Sequence, residues 1–429
     1  MIDIKLIRET PEIVKENIKK KYQDNKLALV DKIRKKDVEW RNLKMKVDGL
    51  RHERNKISKE IAEVKKSGKN ASALLKRAAL IPKKIEEIEG DCNKIEEEVR
   101  EMLMKIPNII HFSVPIGKDS TQNVEIKKIG TPRKFKFTPK SHIEIAEKLG
   151  VADFDSAAET SGNGFYYLYG DLALLNQALI RFGVETMVKH GYTYSETPLM
   201  IREKVLNGVY SGDEIAQMSY KIEGEDLYLI ATSEHSLIGS FIGKTLKKED
   251  LPKKLASYSM CFRKEVGSHG INEKGLFRTH QFNKVEMVVV CHPKDSYKIY
   301  DEMLNISVEI YKQLEIPTRV LECCSGDLAD LKAKSCDLEF YSPVENAYKE
   351  IGSLTNMEEA QARRLGIKFV DEKNERRFAH TLNNTAIATS RAMRAILENF
   401  QNEDSSVDIP EVLQKFMFGK KKIEKATKI

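Results

Sequence analysis

The residues best suited to chemistry lie between positions 258 and 290, where two apolar stretches flank a polar loop that contains glycine. The first stretch ends in the charged run FRKE (262–265), and the second begins with RTHQF (278–282) and continues through Glu286. Residues of alternate parity share one face of a strand, so a hairpin would bring both charged runs to one surface. Such a surface offers arginines for phosphates, an aromatic ring for a base, and carboxylates for an amine or a metal. On this stretch alone, an ordinary solvated hairpin stays open as an alternative.

Length and composition limit the classes of protein to consider. A chain of 429 residues is long enough for two or three domains with large cores. No stretch approaches the roughly 20 apolar residues of a membrane span, and the first residues lack the apolar core of a signal peptide, so we expect a cytoplasmic protein. The six cysteines include no CxxC pair, which favours reduced thiols over a disulfide frame or a zinc knuckle. A metal site made of distant cysteine and histidine residues stays open.

Positive charge is concentrated near the N-terminus. Residues 1–110 carry 28 Lys and Arg against 20 Asp and Glu, whereas the remainder carries 44 against 45. Such an asymmetry indicates a segment that faces a polyanion.

The hydrophobic spacing predicts two long helices in this positive region. Apolar residues recur every three or four positions from about 27 to 66, the run SGKNAS (67–72) supplies a turn, and a second series continues to Ile106. This pattern predicts an antiparallel coiled-coil arm (27–106) about 60 Å long, in which Pro82 should kink or delay the second helix. Residues 26–77 hold 17 basic and 7 acidic side chains, which suits an arm that binds nucleic-acid backbone. An ordinary solvated coiled coil or a dimerisation stalk stays open as an alternative.

Beyond a proline-containing linker (111–140), residues 141–418 mix the two periodicities. The pattern predicts helices at 141–149, 172–190, 294–314, 357–366 and 386–402, and strands at 227–231, 256–262, 283–291, 317–323, 336–342 and 347–352. Because these elements do not alternate regularly, we expect an α+β fold with an antiparallel sheet flanked by helices. The glycine-rich loops that usually cradle phosphates are missing from the sequence. Residues 419–429 form a basic tail that we expect to be mobile.

The arm, the proline-containing segment and the hairpin together resemble the seryl-tRNA synthetases, a family of class II aminoacyl-tRNA synthetases. The stretch GVETMVKHGYTYSETPLMI (183–201) is similar to class II motif 1, which forms the dimer interface in the family. The hairpin is similar to motif 2, and FAHTLNNTAIATSRAMRAILENFQ (378–401) is similar to motif 3. The resemblance extends over almost the whole chain. It implies residues 1–110 as a tRNA-binding domain, residues 141–418 as a class II catalytic domain, and a homodimer.

The resemblance also implies the roles of residues that bind ATP. Arg263 would hold the α-phosphate and the amino acid carboxylate, Arg391 the β- and γ-phosphates, and Phe282 would stack on adenine. These two arginines are the residues expected to act in catalysis, and Glu350 and Ser353 would bind Mg²⁺. The full set implied for ATP is Arg263, Lys264, Glu265, Arg278, Thr279, His280, Gln281, Phe282, Glu350, Ile351, Gly352, Ser353 and Arg391.

Smaller motifs carry the resemblance at the amino acid. Thr232 and Glu234 would meet the α-amino group together with Glu286, and Asn383 and Thr385 would approach the serine hydroxyl. The set implied for serine is Thr232, Ser233, Glu234, Arg263, Glu286, Asn383 and Thr385. The sequence departs from the family pattern at Ser233, Gly352 and Leu354, and no ligand is lost. Asp337 and Glu339 suit a structural role better than a catalytic one.

The implied activity is ATP-dependent serine–tRNA ligation through a seryl-adenylate. The implied partners are L-serine, ATP with Mg²⁺, and tRNA(Ser), with tRNA(Sec) open as a second substrate and no zinc expected. A carrier-protein aminoacyl ligase shares this chemistry, but in that group the arm is lost. An inactive paralogue would have lost ATP ligands, and a simple coiled-coil scaffold leaves the three motifs unexplained.

Overall fold

The computed structural model describes residues 1–210, 212–266 and 274–425. It divides the chain into two compact units, Met1–Ile109 and Ile110–Ile429, which we call the N-terminal and C-terminal units. The tip of the predicted hairpin (267–273) and the end of the predicted tail (426–429) lie outside the described residues.

The N-terminal unit is a long helix pair with two short helices packed at its base. Its helices are α1 (Ile4–Glu9), α2 (Pro11–Lys20), α3 (Leu27–Lys66) and α4 (Ser72–Lys105), and a 3₁₀ turn covers Asp24–Lys26. The apolar series predicted from the sequence is buried between α3 and α4, with Val47, Ile57, Ile81 and Ile85 at its far end. The predicted coiled-coil arm is therefore confirmed.

Two local features of the N-terminal unit were not apparent from the pattern. Pro82 lies inside α4, which runs unbroken from Ser72, so of the two effects expected of the proline, a kink or a delay, the delay is wrong. Pro82 is exposed, so water can solvate the carbonyl that its missing N–H leaves free. At the base, the carboxylate of buried Asp37 accepts hydrogen bonds from Arg8 Nη2 at 2.6 Å and from Arg41 Nε at 3.0 Å, which ties α1 to α3.

The C-terminal unit combines one large sheet with helices. Its helices are α5 (His142–Leu149), α6 (Asp155–Ser161), α7 (Gly170–Lys189), α8 (Glu203–Val209), α9 (Gly212–Met218), α10 (Ser233–Gly239), α11 (Ser296–Gln313), α12 (Ala360–Leu365), α13 (Thr389–Asn399) and α14 (Glu411–Gln414). Short 3₁₀ turns cover Ser120–Gln122, Lys248–Asp250, Pro293–Asp295 and Lys415–Met417. Among the described residues of both units, no helix is both long enough and apolar enough to cross a membrane.

Eight of its strands form the large sheet. The strands of this unit are β1 (Val124–Ile129), β2 (Ala152–Asp153), β3 (Tyr167–Leu168), β4 (Thr193–Tyr194), β5 (Met200–Ile201), β6 (Tyr228–Leu229), β7 (Thr245–Leu246), β8 (Lys253–Phe262), β9 (Gln281–Cys291), β10 (Thr318–Glu322), β11 (Lys334–Ser342), β12 (Ala347–Glu358), β13 (Lys368–Val370), β14 (Arg376–Phe378), β15 (His380–Ala388), β16 (Val407–Asp408) and β17 (Lys422–Ile423). The sheet order is β1-β10-β11-β12-β15-β9-β8-β4, antiparallel except for the β4–β8 pair. The predicted α+β fold is confirmed.

The two faces of this sheet have different neighbours. Helices α7, α11 and α13 pack on one face, where Val285, Met287 and Val289 of β9 join the main apolar core. A second apolar cluster covers part of the other face, with Val288 and Val290 packed against residues of α8, α10 and α12. The part of that face that the second cluster leaves uncovered carries the polar residues described below.

The sequence pattern failed to predict two parts of the large sheet. Strand β15 occupies residues that were partly assigned to a helix, since its sequence HTLNNTAIA is polar rather than alternating. Partners for these side chains lie elsewhere in the fold; Asn384 Nδ2, for example, donates to the Met303 carbonyl at 2.9 Å. The expected linker contributes edge strand β1, which pairs with β10.

The tail that was expected to be mobile contains strand β17, which pairs with β16 in a separate two-stranded sheet. Ile423 is fully buried and pairs with Val407, so the expectation of mobility is wrong for the described part of that tail.

A candidate active site on the central sheet

A cavity of about 320 Å³ lies in the C-terminal unit, over strands β9, β12 and β15. It brings together most of the residues that the sequence predicted as a site, although these are spread over some 160 positions of the chain. The predicted residues that line it are Thr232, Glu234, Arg263, Glu265, Arg278, Thr279, Phe282, Glu286, Glu350, Ile351, Gly352, Ser353, Asn383, Thr385 and Arg391.

The alternation of strand β9 explains how one strand serves both the core and the cavity. Phe282, Lys284 and Glu286 line the cavity, whereas Val285 and Met287 between and beyond them point into the helical layer. This is the two-residue period of a strand that is buried on both faces. Strand pairing fixes these positions: Phe282 pairs with Cys261 of β8, and Glu286 pairs with both β8 and β15.

A β-bulge explains the position of Glu350 and Ser353. In a regular strand, side chains three positions apart point to opposite faces. The pairing of β12 with β11 shifts at this point, because Glu350 faces Glu339 while Gly352 faces Leu338. The extra residue brings both side chains to the cavity. Their oxygen atoms are the type of ligand that Mg²⁺ prefers, so this pair fits a magnesium ion.

The two acidic residues predicted for an amine have different partners. The carboxylate of Glu286 lies 2.6 Å from Lys284 Nζ, and both side chains are buried. Asn383 Nδ2 and Thr385 Oγ1 each donate to the Glu286 carboxylate at 3.4 Å. Glu286 is thus compensated within the protein by one cation and two polar groups.

Glu234 has a weaker set of partners. It lies in the first turn of helix α10, where the hydroxyl of Thr232 caps the helix by accepting the Glu234 N–H at 3.3 Å. Its carboxylate accepts a hydrogen bond from Gln361 Nε2 at 2.8 Å. Burial and then the negative charge of Glu286 raise the pKa of Glu234 to about 6. A cation placed between the two carboxylates would therefore be bound favourably.

Arginines provide the positive charge of the cavity. The Arg263 guanidinium lies 5.1 Å from the centre of the Phe282 ring, and its Nε donates to the Ala231 carbonyl at 3.3 Å. Arg391 Nη1 lies 3.0 Å from Glu350 Oε1, and this positive charge lowers the pKa of Glu350. The cavity can thus hold a polyanion against its arginines and an ammonium group against its carboxylates.

Four predicted site residues do not line the cavity. Ser233 is fully buried and its hydroxyl donates to the Ser257 carbonyl at 3.4 Å. The ammonium of Lys264 lies 5.9 Å from the ring centre of Tyr220. The His280 carbonyl accepts the Arg263 N–H at 2.9 Å, which pairs the two strands of the hairpin. Gln281 reaches the sulfur of Met260 at 3.8 Å. Parity accounts for Gln281, since it directly precedes Phe282, whose side chain faces the cavity.

The cavity also contains residues that were not predicted. Lys284 could have been found, since it lies midway between Phe282 and Glu286 on one face of the strand. Tyr210 and His235 carried no such signal, because they reach the cavity from helical segments. Burial lowers the pKa of His235 to about 3, with further contributions from Lys284 and Arg263, so this imidazole is neutral.

Comparison with known proteins identifies related sequences over both units. Residues 1–110 match the family model described as the seryl-tRNA synthetase N-terminal domain. Residues 219–400 match the model of the tRNA synthetase class II core domain (G, H, P, S and T).

Individual relatives match over nearly their whole length. The serine–tRNA ligase of Methanocella arvoryzae is 46% identical over 98% of this chain and 99% of its own length. That of Methanospirillum hungatei is 47% identical, again over 98% and 99%. The crystal structure of seryl-tRNA synthetase from Pyrococcus horikoshii complexed with ATP is 41% identical and covers both chains completely, with a TM-score of 0.94.

The buried pair of Lys284 and Glu286 gives a prediction about stability. Replacing Lys284 by Met leaves Glu286 without its cation, and we expect the free energy of unfolding to fall by about 3–5 kcal/mol. The double variant Lys284→Met, Glu286→Gln removes both charges and should recover most of that loss. Denaturant titration followed by circular dichroism measures both. A single variant as stable as the wild type would contradict the role given to this pair.

Proposed function

The chain belongs to the seryl-tRNA synthetase family, and we propose that it attaches L-serine to the 3′ end of tRNA(Ser) at the expense of ATP. The observation that carries this proposal is the division of one cavity into a cationic and an acidic part. Arg263 and Arg391 suit the phosphates of ATP, and Glu234 and Glu286 suit the amino group of an amino acid. Because tRNA is charged where proteins are made, we also propose a cytoplasmic location.

In the first step, the serine carboxylate attacks the α-phosphorus of ATP and pyrophosphate leaves. Arg263 binds the α-phosphate and the carboxylate, so the reacting atoms are held together and the developing charge is compensated. Arg391 binds the β- and γ-phosphates that depart. Phe282 supports the adenine ring by stacking. We propose that Glu350 and Ser353 hold Mg²⁺, which supplies positive charge to the phosphates.

The acidic part of the cavity would select the amino acid. Glu234 and Glu286 bind its ammonium group, and Asn383 and Thr385 approach the side-chain hydroxyl. A site that must hydrogen-bond a hydroxyl disfavours alanine, because its own polar groups would be left unpaired.

In the second step, a ribose hydroxyl at the 3′ end of the tRNA attacks the acyl carbonyl, and AMP leaves. The reaction requires no covalent bond to the protein, and positioning and electrostatic compensation supply the acceleration. The basic arm would contact the phosphates and sugars of the tRNA and would recognise its shape.

We further propose a homodimer formed through residues 183–201. Exposed apolar side chains in this segment support the proposal: Val188, Leu199 and Met200. The two alternative activities are not favoured. A carrier-protein ligase would not need the N-terminal domain that residues 1–110 match, and an inactive paralogue would not keep the charged residues of the cavity.

The first test is amino-acid-dependent exchange of pyrophosphate into ATP with each of the twenty amino acids. We expect exchange with serine. In the Arg263→Ala variant the exchange rate should fall at least about 100-fold, because the variant lacks a positive charge that stabilises the transition state. Lys264→Ala is the matched control. Lys264 is the next residue after Arg263, but its side chain does not line the cavity, so this variant should retain activity. Exchange at the wild-type rate in Arg263→Ala, or none with serine, would contradict the proposal.

A second test concerns the arm. Lys65 and Lys66 are exposed near its turn, and replacing both by Glu should weaken tRNA(Ser) charging at least about tenfold by reversing charge near the RNA backbone. Serine-dependent pyrophosphate exchange, which needs no tRNA, should not change. The control Lys94→Glu, Arg100→Glu makes the same change of charge in the mainly acidic part of α4. Equal charging by the two double variants would argue against the proposed contact.

A further inference from the structure

A buried polar network that includes His142 lies beside the cavity. His142 is the first residue of helix α5, and Glu398 lies in α13; both side chains are buried. His142 Nδ1 lies 3.0 Å from Glu398 Oε1. On its other side, His142 Nε2 lies 3.2 Å from the backbone nitrogen of Leu276. The imidazole therefore bridges α13 and the hairpin segment that precedes β9.

The hydrogen bonds determine which nitrogen carries the proton. Nε2 accepts the backbone N–H of Leu276, so it cannot itself be protonated. The ring is then neutral, with its proton on Nδ1, which donates to Glu398. Burial lowers the pKa of His142, in agreement with a neutral ring.

Glu398 is itself held in place from two other directions. Its carboxylate accepts hydrogen bonds from Arg394 Nε at 2.9 Å and from Ser342 Oγ at 2.6 Å. Arg394 also pairs with Glu345. The histidine thus rests on a carboxylate whose orientation is set by neighbouring elements, which makes it a rigid acceptor for Leu276.

The segment that His142 holds leads directly to the cavity. Leu276 is fully buried, and the next residue, Phe277, lies close to two guanidinium groups. Its ring centre is 5.0 Å from the guanidinium of Arg391 and 4.8 Å from that of Arg394. Phe277 and Arg391 both line the cavity, and Arg278 follows. Displacement of Leu276 would move the surface against which Arg391 packs.

Gly275 gives independent evidence of this close approach. Its φ angle is +130°, a conformation that side chains rarely allow. A Cβ atom at this position would lie 2.6 Å from His142 Nε2, far inside van der Waals contact. The hairpin segment therefore passes the imidazole at a distance that only glycine permits.

We propose that His142 is a positioning residue for the nucleotide part of the cavity. Its neutral imidazole holds the backbone of Leu276, and through Phe277 it sets the position of Arg391 relative to the β- and γ-phosphates. The effect on ATP rests on the function proposed above, whereas the hydrogen bond between His142 and Leu276 does not.

Two substitutions separate the two hydrogen bonds of His142. In His142→Gln the amide oxygen reaches the position of Nε2 and can accept the Leu276 N–H. In His142→Asn the amide ends at the level of Nδ1, so the contact with Glu398 is kept and that with Leu276 is lost. We expect hydrogen exchange of the Leu276 amide to accelerate about tenfold or more in the asparagine variant and to stay near the wild-type rate in the glutamine variant.

The enzymatic readout follows the same division. In serine-dependent pyrophosphate exchange, His142→Asn should raise the KM for ATP about tenfold and change the KM for serine less. His142→Gln should keep the KM for ATP near the wild-type value. Gly275→Ala pushes the segment away while leaving His142 intact, so it should behave like His142→Asn. It replaces His142→Asn as the test if that variant does not fold. Thermal unfolding of each variant is measured alongside.

Two results would overturn the proposal. One is an unchanged Leu276 amide or an unchanged KM for ATP in His142→Asn. The other is an equal rise in the KM for ATP in the glutamine and asparagine variants, in proportion to their loss of thermal stability. That result would indicate that His142 has a packing role only. If the wild-type protein exchanged no pyrophosphate at all, the proposed function would fail, and the amide measurement would still decide whether His142 holds Leu276.

Discussion

Two buried carboxylates share one cavity, and the need to compensate their charge organises the surrounding residues. Glu286 has Lys284 at 2.6 Å, whereas Glu234 has the neutral amide of Gln361. Burial and the charge of Glu286 therefore raise the pKa of Glu234 to about 6. A bound ammonium group would supply the compensation that the protein provides only in part. The charges of the cavity therefore suit a cation next to an anion. An amino acid bound next to ATP has this charge pattern.

The sheet makes this arrangement possible because its strands can present polar residues on one face and a core on the other. Strand β9 does so by simple alternation, with Glu286 towards the cavity and Val285 and Met287 towards the helices. Strand β12 needs a bulge, without which Glu350 and Ser353 would point to opposite faces. The hairpin before β9 is held from outside the sheet, by the buried imidazole of His142.

Local patterns and family resemblance predicted much of this arrangement from the sequence. The first arm helix was placed at residues 27–66, where α3 lies, because its apolar stripe and charge pattern are local. Strand β15 was missed because its asparagines and threonines are polar, and their partners lie on distant elements. The contact between His142 and Leu276 joins residues 134 positions apart and left no local signal. What could not be predicted was thus set by long-range packing.

The most direct test of the charge pattern is the pH dependence of kcat/KM for serine in pyrophosphate exchange. A carboxyl group with a raised pKa is ionised, and can attract an ammonium group, only above that pKa. We therefore expect kcat/KM to fall about tenfold per pH unit below pH 6. The Glu234→Gln variant should not show this acidic decrease. Calorimetry would measure the affinity for serine at the same pH values. A flat profile between about pH 5 and 8, or the same limb in Glu234→Gln, would contradict the account.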